Sequence, residues 1–215
     1  EDNGEEVMLT GWALLFHPDL LHGFPLEKRI REYSFFDYRI NEALHMTEEE
    51  HDILASLMRQ IREELGKKPD ELQRAILVGY IELALNFCQR FYNRQFVTRK
   101  IENSDILVRF DRLLRDYFED SLQYTIGLPT VQYCADKLCM SPNYFGDVIK
   151  KTTGDTASNH IRQFVIQLAK NGLAAGETVS QVSDRLGFEY PQHFSRMFKK
   201  QEGVTPSEFC QRLRN

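Results

Sequence analysis

The sequence has no run of about 18 apolar residues, which excludes an ordinary membrane-spanning helix. It also has no basic-then-apolar leader, and together these absences predict a soluble, cytoplasmic chain. Only four cysteines occur in 215 residues, Cys88, Cys134, Cys139 and Cys210, and none forms a C-x-x-C pair. That scatter argues against a zinc site or a disulfide framework and predicts reduced, mostly buried thiols. There is no Gly-rich phosphate loop, nucleophile elbow, H-E-x-x-H or close carboxylate pair, so no catalytic residue and no cofactor is assigned. His17 and His22 flank Asp19, but with no third or fourth ligand they fit a strand-end turn rather than a metal site.

Positive charge is also short, with 27 Lys+Arg against 32 Asp+Glu and a net charge of −5. The deficit is uneven. Residues 1–126 carry 16 Lys+Arg against 24 Asp+Glu, whereas residues 127–215 carry 11 against 8, a net of +3. The basic excess lies in the last part of the chain, modest but suited to a nucleic-acid partner.

The apolar run VMLTGWALLF, residues 7–16, ends at His17-Pro18 and reads as a strand; REYSFFDY, residues 31–38, is a second, weaker candidate. A lone strand cannot form a sheet, so either the chain is a fragment or the strand packs on something outside this sequence. Thr47 to Glu50 has the form of a capping box, followed by Ile53, Leu57, Ile61 and Leu65 at four-residue steps, which predicts a helix ending near Gly66. Pro69 is expected to start the next helix. There Leu72, Ile76, Gly79, Leu83, Phe87 and Phe91 make a seam over about 25 residues. The preceding helix is too short to cover it, so Leu72, Ile76, Leu83 and Phe87 are expected to meet a second copy of the chain. Residues 95–103 are polar without clear period and read as a linker, after which Ser104 is expected to cap a helix carrying Leu107, Phe110, Leu114, Tyr117 and Phe118.

An internal repeat follows. TVQYCADKLCM (130–140) matches TVSQVSDRLGF (178–188) at an offset of 48, and SPNYFGDVIKKTTGDTAS (141–158) matches YPQHFSRMFKKQEGVTPS (190–207) at 49, so the second copy has one extra residue in its turn. Each copy reads as a helix-turn-helix whose second helix begins at Pro142 or Pro191, since a first helical turn needs no amide there. In the second copy Phe194, Met197 and Phe198 must face the core, leaving Gln192, His193, Arg196 and Lys199 outward. In the first, Phe145, Val148 and Ile149 go inward, leaving Asn143, Gly146, Asp147 and Lys150 outward. Lys150-Lys151 and Lys199-Lys200 lie at equivalent places suited to DNA phosphates. The stretch between the copies, Ala157 to Leu173, reads as one helix.

The segments LGFEYPQHFSRMFKKQEGVTPSEF, SPNYF and KKTTG resemble the DNA-binding domain of AraC/XylS-family transcription regulators, over residues 104–215. The resemblance implies a mainly α fold: a seven-helix domain whose two helix-turn-helix units, 128–152 and 177–201, insert recognition helices into adjacent major-groove segments of promoter DNA. By position, its base-reading residues are Asn143, Gly146, Asp147, Gln192, His193 and Arg196. Gly146 has no side chain to offer and Asp147 would repel phosphate, so most specificity is expected in the second copy. Residues 1–45 more weakly resemble the end of a cupin-like regulatory barrel and 46–94 its dimerisation helices. This implies a homodimer, RNA polymerase as a candidate partner, and an unknown small-molecule effector bound in an N-terminal region missing here. The alternative is a helical adaptor that has lost DNA binding.

Overall fold

The computed structural model describes residues 11–214, which form helices and turns and, among the described residues, no strand. The chain divides into two compact units, residues up to 36 with 43–95, and residues 37–42 with 96 onward.

In the first unit, the 3-10 turn Pro18–Leu21 and the single turn α1 (Leu26–Arg29) precede two long helices, α2 (Glu48–Leu65) and α3 (Gln73–Thr98). His17 is the N-cap of the first turn, its ring accepting from Asp19 N. The expected β remnant is not found. Residues 7–10 lie outside the described residues, 11–16 form no regular element, and 31–38 fold into the 3-10 turns Ile30–Glu32 and Ser34–Asp37. The aromatic residues that suggested a strand stack on one another and on a helix instead. Phe35 lies 5.5 Å from Tyr33 and stacks on Tyr92 of α3 at 5.5 Å, a side-chain solution that needs no ladder.

The capping box forms as expected: Thr47 Oγ1 accepts from Glu50 N, and Glu50 Oε2 accepts from Thr47 N. Arg94 of α3 then clamps Glu50 at 2.6 Å. The start of α3 is later than Pro69, because the Asp70 carboxylate accepts from the amides of Leu72 and Gln73. Its inward face is Leu77, Val78, Ile81 and Leu85, closing a core with Leu21, Leu26, Tyr33 and Ile61. Each such burial stabilises by about 1.5–3 kcal/mol. Most of the seam from Leu72 faces elsewhere: Leu72, Ile76 and Leu83 are 67%, 38% and 43% exposed and Phe87 is half-buried, but Phe91, expected in the same seam, is buried.

The stretch 95–103, expected as a linker, is helical on either side of Arg99. Two of its polar residues are withdrawn from water: Gln95 is buried and accepts from His45 N, while Asn103 is buried and donates to Phe96 O at 2.7 Å. Buried amides with satisfied hydrogen bonds look from the sequence like a loop.

The second unit contains α4 (Lys100–Glu119), α5 (Gln123–Ile126), α6 (Val131–Lys137), α7 (Pro142–Thr153), α8 (Ala157–Ala174), α9 (Val179–Arg185), α10 (Pro191–Glu202) and α11 (Pro206–Arg214). That is eight helical segments among the described residues where seven were expected, and the single turn α5 is one of them. Ser104 lies inside α4 rather than capping it. The inward face of α4 is Ile106, Phe110, Leu114 and Tyr117. The central helix is α8. Its stripe Ile161, Val165, Ala169 and Leu173 is buried, and it packs on α6, α7, α9, α10 and α11.

Candidate nucleic-acid interface

Both repeat copies fold as helix, turn, helix. In the first, Thr130 caps α6 by accepting from Tyr133 N, and Ser141 caps α7 by accepting from Tyr144 N, with Pro142 in the first turn. In the second, Thr178 and Gln181 form a capping box on α9, and Pro191 opens α10. Each second helix is 12 residues long and stops at a glycine in the left-handed region, Gly154 (φ +80°) and Gly203 (φ +75°), whose amide bonds back to Lys150 O or Lys199 O.

The face of α10 is as expected on most points. Phe194 and Phe198 are buried, Met197 is half-buried, and Gln192, His193, Arg196, Lys199 and Lys200 are exposed on the opposite side. Tyr190 packs edge-on against the His193 ring at 5.5 Å, so this imidazole is partly oriented. On α7, Phe145, Val148 and Ile149 are buried with Tyr144, which sequence reasoning did not single out. Asn143, Lys150 and Lys151 are exposed, whereas Gly146 and Asp147 are half-buried.

The difference between the two faces comes from residues 37–42, which belong to this unit. Tyr38 donates its hydroxyl to Asp147 Oδ2 at 2.6 Å, and its ring meets Tyr144 edge-on at 5.2 Å. Asn143 Nδ2 donates to Asp37 Oδ2 at 2.8 Å. Glu42, 4% exposed, accepts from both Ser141 N at 2.7 Å and Ser141 Oγ at 2.5 Å. Arg39 pairs with Asp136 on α6 at 3.0 Å. Sequence reasoning missed this segment, since its partners lie about a hundred residues away. The available signal was Asp147 itself, an acid on a face expected to meet DNA.

Residues 134–212 match the family model described as a helix-turn-helix domain. This part of the chain is similar to helix-turn-helix domains, in keeping with the resemblance to AraC/XylS-family regulators. The chain is also similar to named bacterial regulators. The chain is 32% identical over 87 residues to the HTH-type transcriptional regulator YtdP of Bacillus subtilis (strain 168), covering 40% of this chain and 11% of that protein. It is 35% identical over 127 residues to the transcriptional regulatory protein YesN of the same organism, 56% of this chain and 32% of YesN. To the HTH-type transcriptional regulator YijO of Escherichia coli (strain K12) it is 25% identical over 157 residues, 73% of this chain and 52% of YijO. The chain thus spans between about a tenth and about half of the length of these relatives. Among the described residues no helix is long and apolar enough to cross a membrane.

Proposed function

We propose that the chain is a sequence-specific, DNA-binding transcription regulator whose α7 and α10 enter adjacent major-groove segments of promoter DNA. The observation that carries this is the face of α10, where Gln192, His193 and Arg196 stand exposed opposite the buried Phe194 and Phe198. The Arg196 fork suits the two acceptors of guanine and the Gln192 amide suits adenine. Lys199, Lys200, Lys150 and Lys151 fit phosphate contacts that set register without reading sequence. The exposed seam of Leu72, Ile76 and Leu83, with Phe87 beside it, supports a homodimer, because a second copy would remove that apolar stripe from water.

The test is selection of bound duplexes from a random pool, followed by mobility shifts at several salt concentrations. A regulator yields an enriched motif and an affinity that falls steeply with salt. A protein that self-associates but retains no duplex at low salt is an adaptor instead.

A further inference from the structure

We propose that residues 37–42 are an autoinhibitory cover on the first helix-turn-helix, an anionic stand-in for DNA that must leave before α7 can enter a groove. The inference rests on the reading that α7 and α10 bind DNA.

The contacts fall on the groups that DNA would need. Asn143 and Asp147 are the outward-facing side chains of α7 with hydrogen-bonding groups at the base-reading places. Asp37 engages the first and Tyr38 the second. Gly146 between them has nothing to offer, so the reading capacity of this helix is taken up. At the start of α7 the Glu42 carboxylate accepts from the amide and the hydroxyl of Ser141, the N-cap. Exposed amides and a positive dipole end make a helix start the place where a recognition helix holds a phosphate. Glu42 thus occupies the position of a phosphate, Asp37 and Tyr38 that of base edges, and Arg39 ties the segment to α6 through Asp136. The second copy has its equivalent face, Gln192, His193 and Arg196, exposed.

The cover also accounts for Asp147. An acid on a DNA-reading face costs affinity, yet here it is the acceptor that seats Tyr38. The segment competes with DNA by charge, because its two carboxylates cannot remain on α7 beside a phosphodiester strand. Both ends of the segment run on into the other unit, at residues 36 and 43.

The test uses the full chain. The wild type is compared with Asp37→Ala/Tyr38→Ala/Glu42→Ala and with the conservative pair Asp37→Asn/Tyr38→Phe, on duplexes selected by the triple variant. The readouts are affinity at fixed salt and hydroxyl-radical footprints. The triple variant is expected to bind about tenfold to hundredfold more tightly, because the competent state is no longer a minor one. Its footprint should cover two adjacent major-groove segments where the wild type protects one. The conservative pair should move the same way by less, and it decides the matter if the triple variant loses its helical circular dichroism. Equal affinity and equal footprints for wild type and variants overturn the cover while leaving DNA binding intact. Failure of all three proteins to retain any duplex overturns the DNA-binding reading and the cover with it.

Discussion

Cys139 and Gly187 hold the same place in the two turns, and both have a left-handed backbone, with φ of +61° and +80°. A non-glycine residue is strained there, whereas glycine adopts that conformation freely. At Gly187 glycine is also required by space, since a Cβ would stand 2.6 Å from Gln123 O on the neighbouring α5. Opposite outcomes are expected. Cys139→Gly should stabilise by up to about 1 kcal/mol, and Gly187→Ala should destabilise by about 2–4 kcal/mol, both read from urea unfolding. Equal effects at the two sites would show that the turns are not alike.

The division of labour on α10 is open to a two-variant experiment. Arg196→Ala should cost about 1–3 kcal/mol at the best site and flatten preference at one base pair. Lys200→Ala should weaken all sequences alike and reduce the salt slope by about 1. The measurement is binding of each variant to single-base variants of the selected site across salt concentrations. A uniform loss for Arg196→Ala, with sequence preference intact, would make that residue a phosphate contact.

Charge placed in the exposed seam of α3 should break the proposed dimer. Leu83→Glu, at a position 43% exposed in the protomer, is expected to halve the mass seen by light scattering and leave helix content unchanged. An unmodified chain that is already monomeric would count against the dimer.

Alkali should weaken the second unit. Burial pushes the Cys134 thiol up from its ordinary 9.0 to about 12. Burial likewise raises Tyr117 from 10.0 to about 12, with Tyr133 and Cys134 nearby adding to it. A pKa raised by folding contributes stability that is complete below the unfolded value and lost as pH climbs through the folded one. Resistance to urea should therefore fall between pH 9 and 12, and Cys134→Ala should make the fall shallower. A profile that Cys134→Ala leaves unchanged would mean that this thiol ionises alike in both states. In the folded protein a thiol reagent should label exposed Cys139 and spare Cys134.

The readable parts of this sequence were those governed by neighbours in the chain. The capping box at Thr47, the prolines opening α7 and α10, and the burial of Phe145, Val148, Ile149, Phe194 and Phe198 follow from spacings of three and four residues. The failures share the opposite property. Tyr33 and Phe35 have the composition of a strand, but Phe35 stacks on Tyr92 from a helix far along the chain. Gln95 looks like a loop residue because nothing local shows that its buried amide is satisfied by His45, 50 residues earlier. The cover on α7 is the extreme case, since Tyr38 and Asp147 are 109 residues apart.

The 18 residues of α8 join the two helix-turn-helix units as one unbroken helix, a spine about 27 Å long. A helix of this kind is a ruler and a protractor at once. One inserted residue would lengthen it by about 1.5 Å and turn everything beyond it by about 100°, aiming one unit away from any duplex the other could bind. If α7 and α10 read DNA as proposed, descendants of this chain are thus free to change which bases each unit reads by altering side chains on those helices, but are held almost rigidly to the spacing at which they read them.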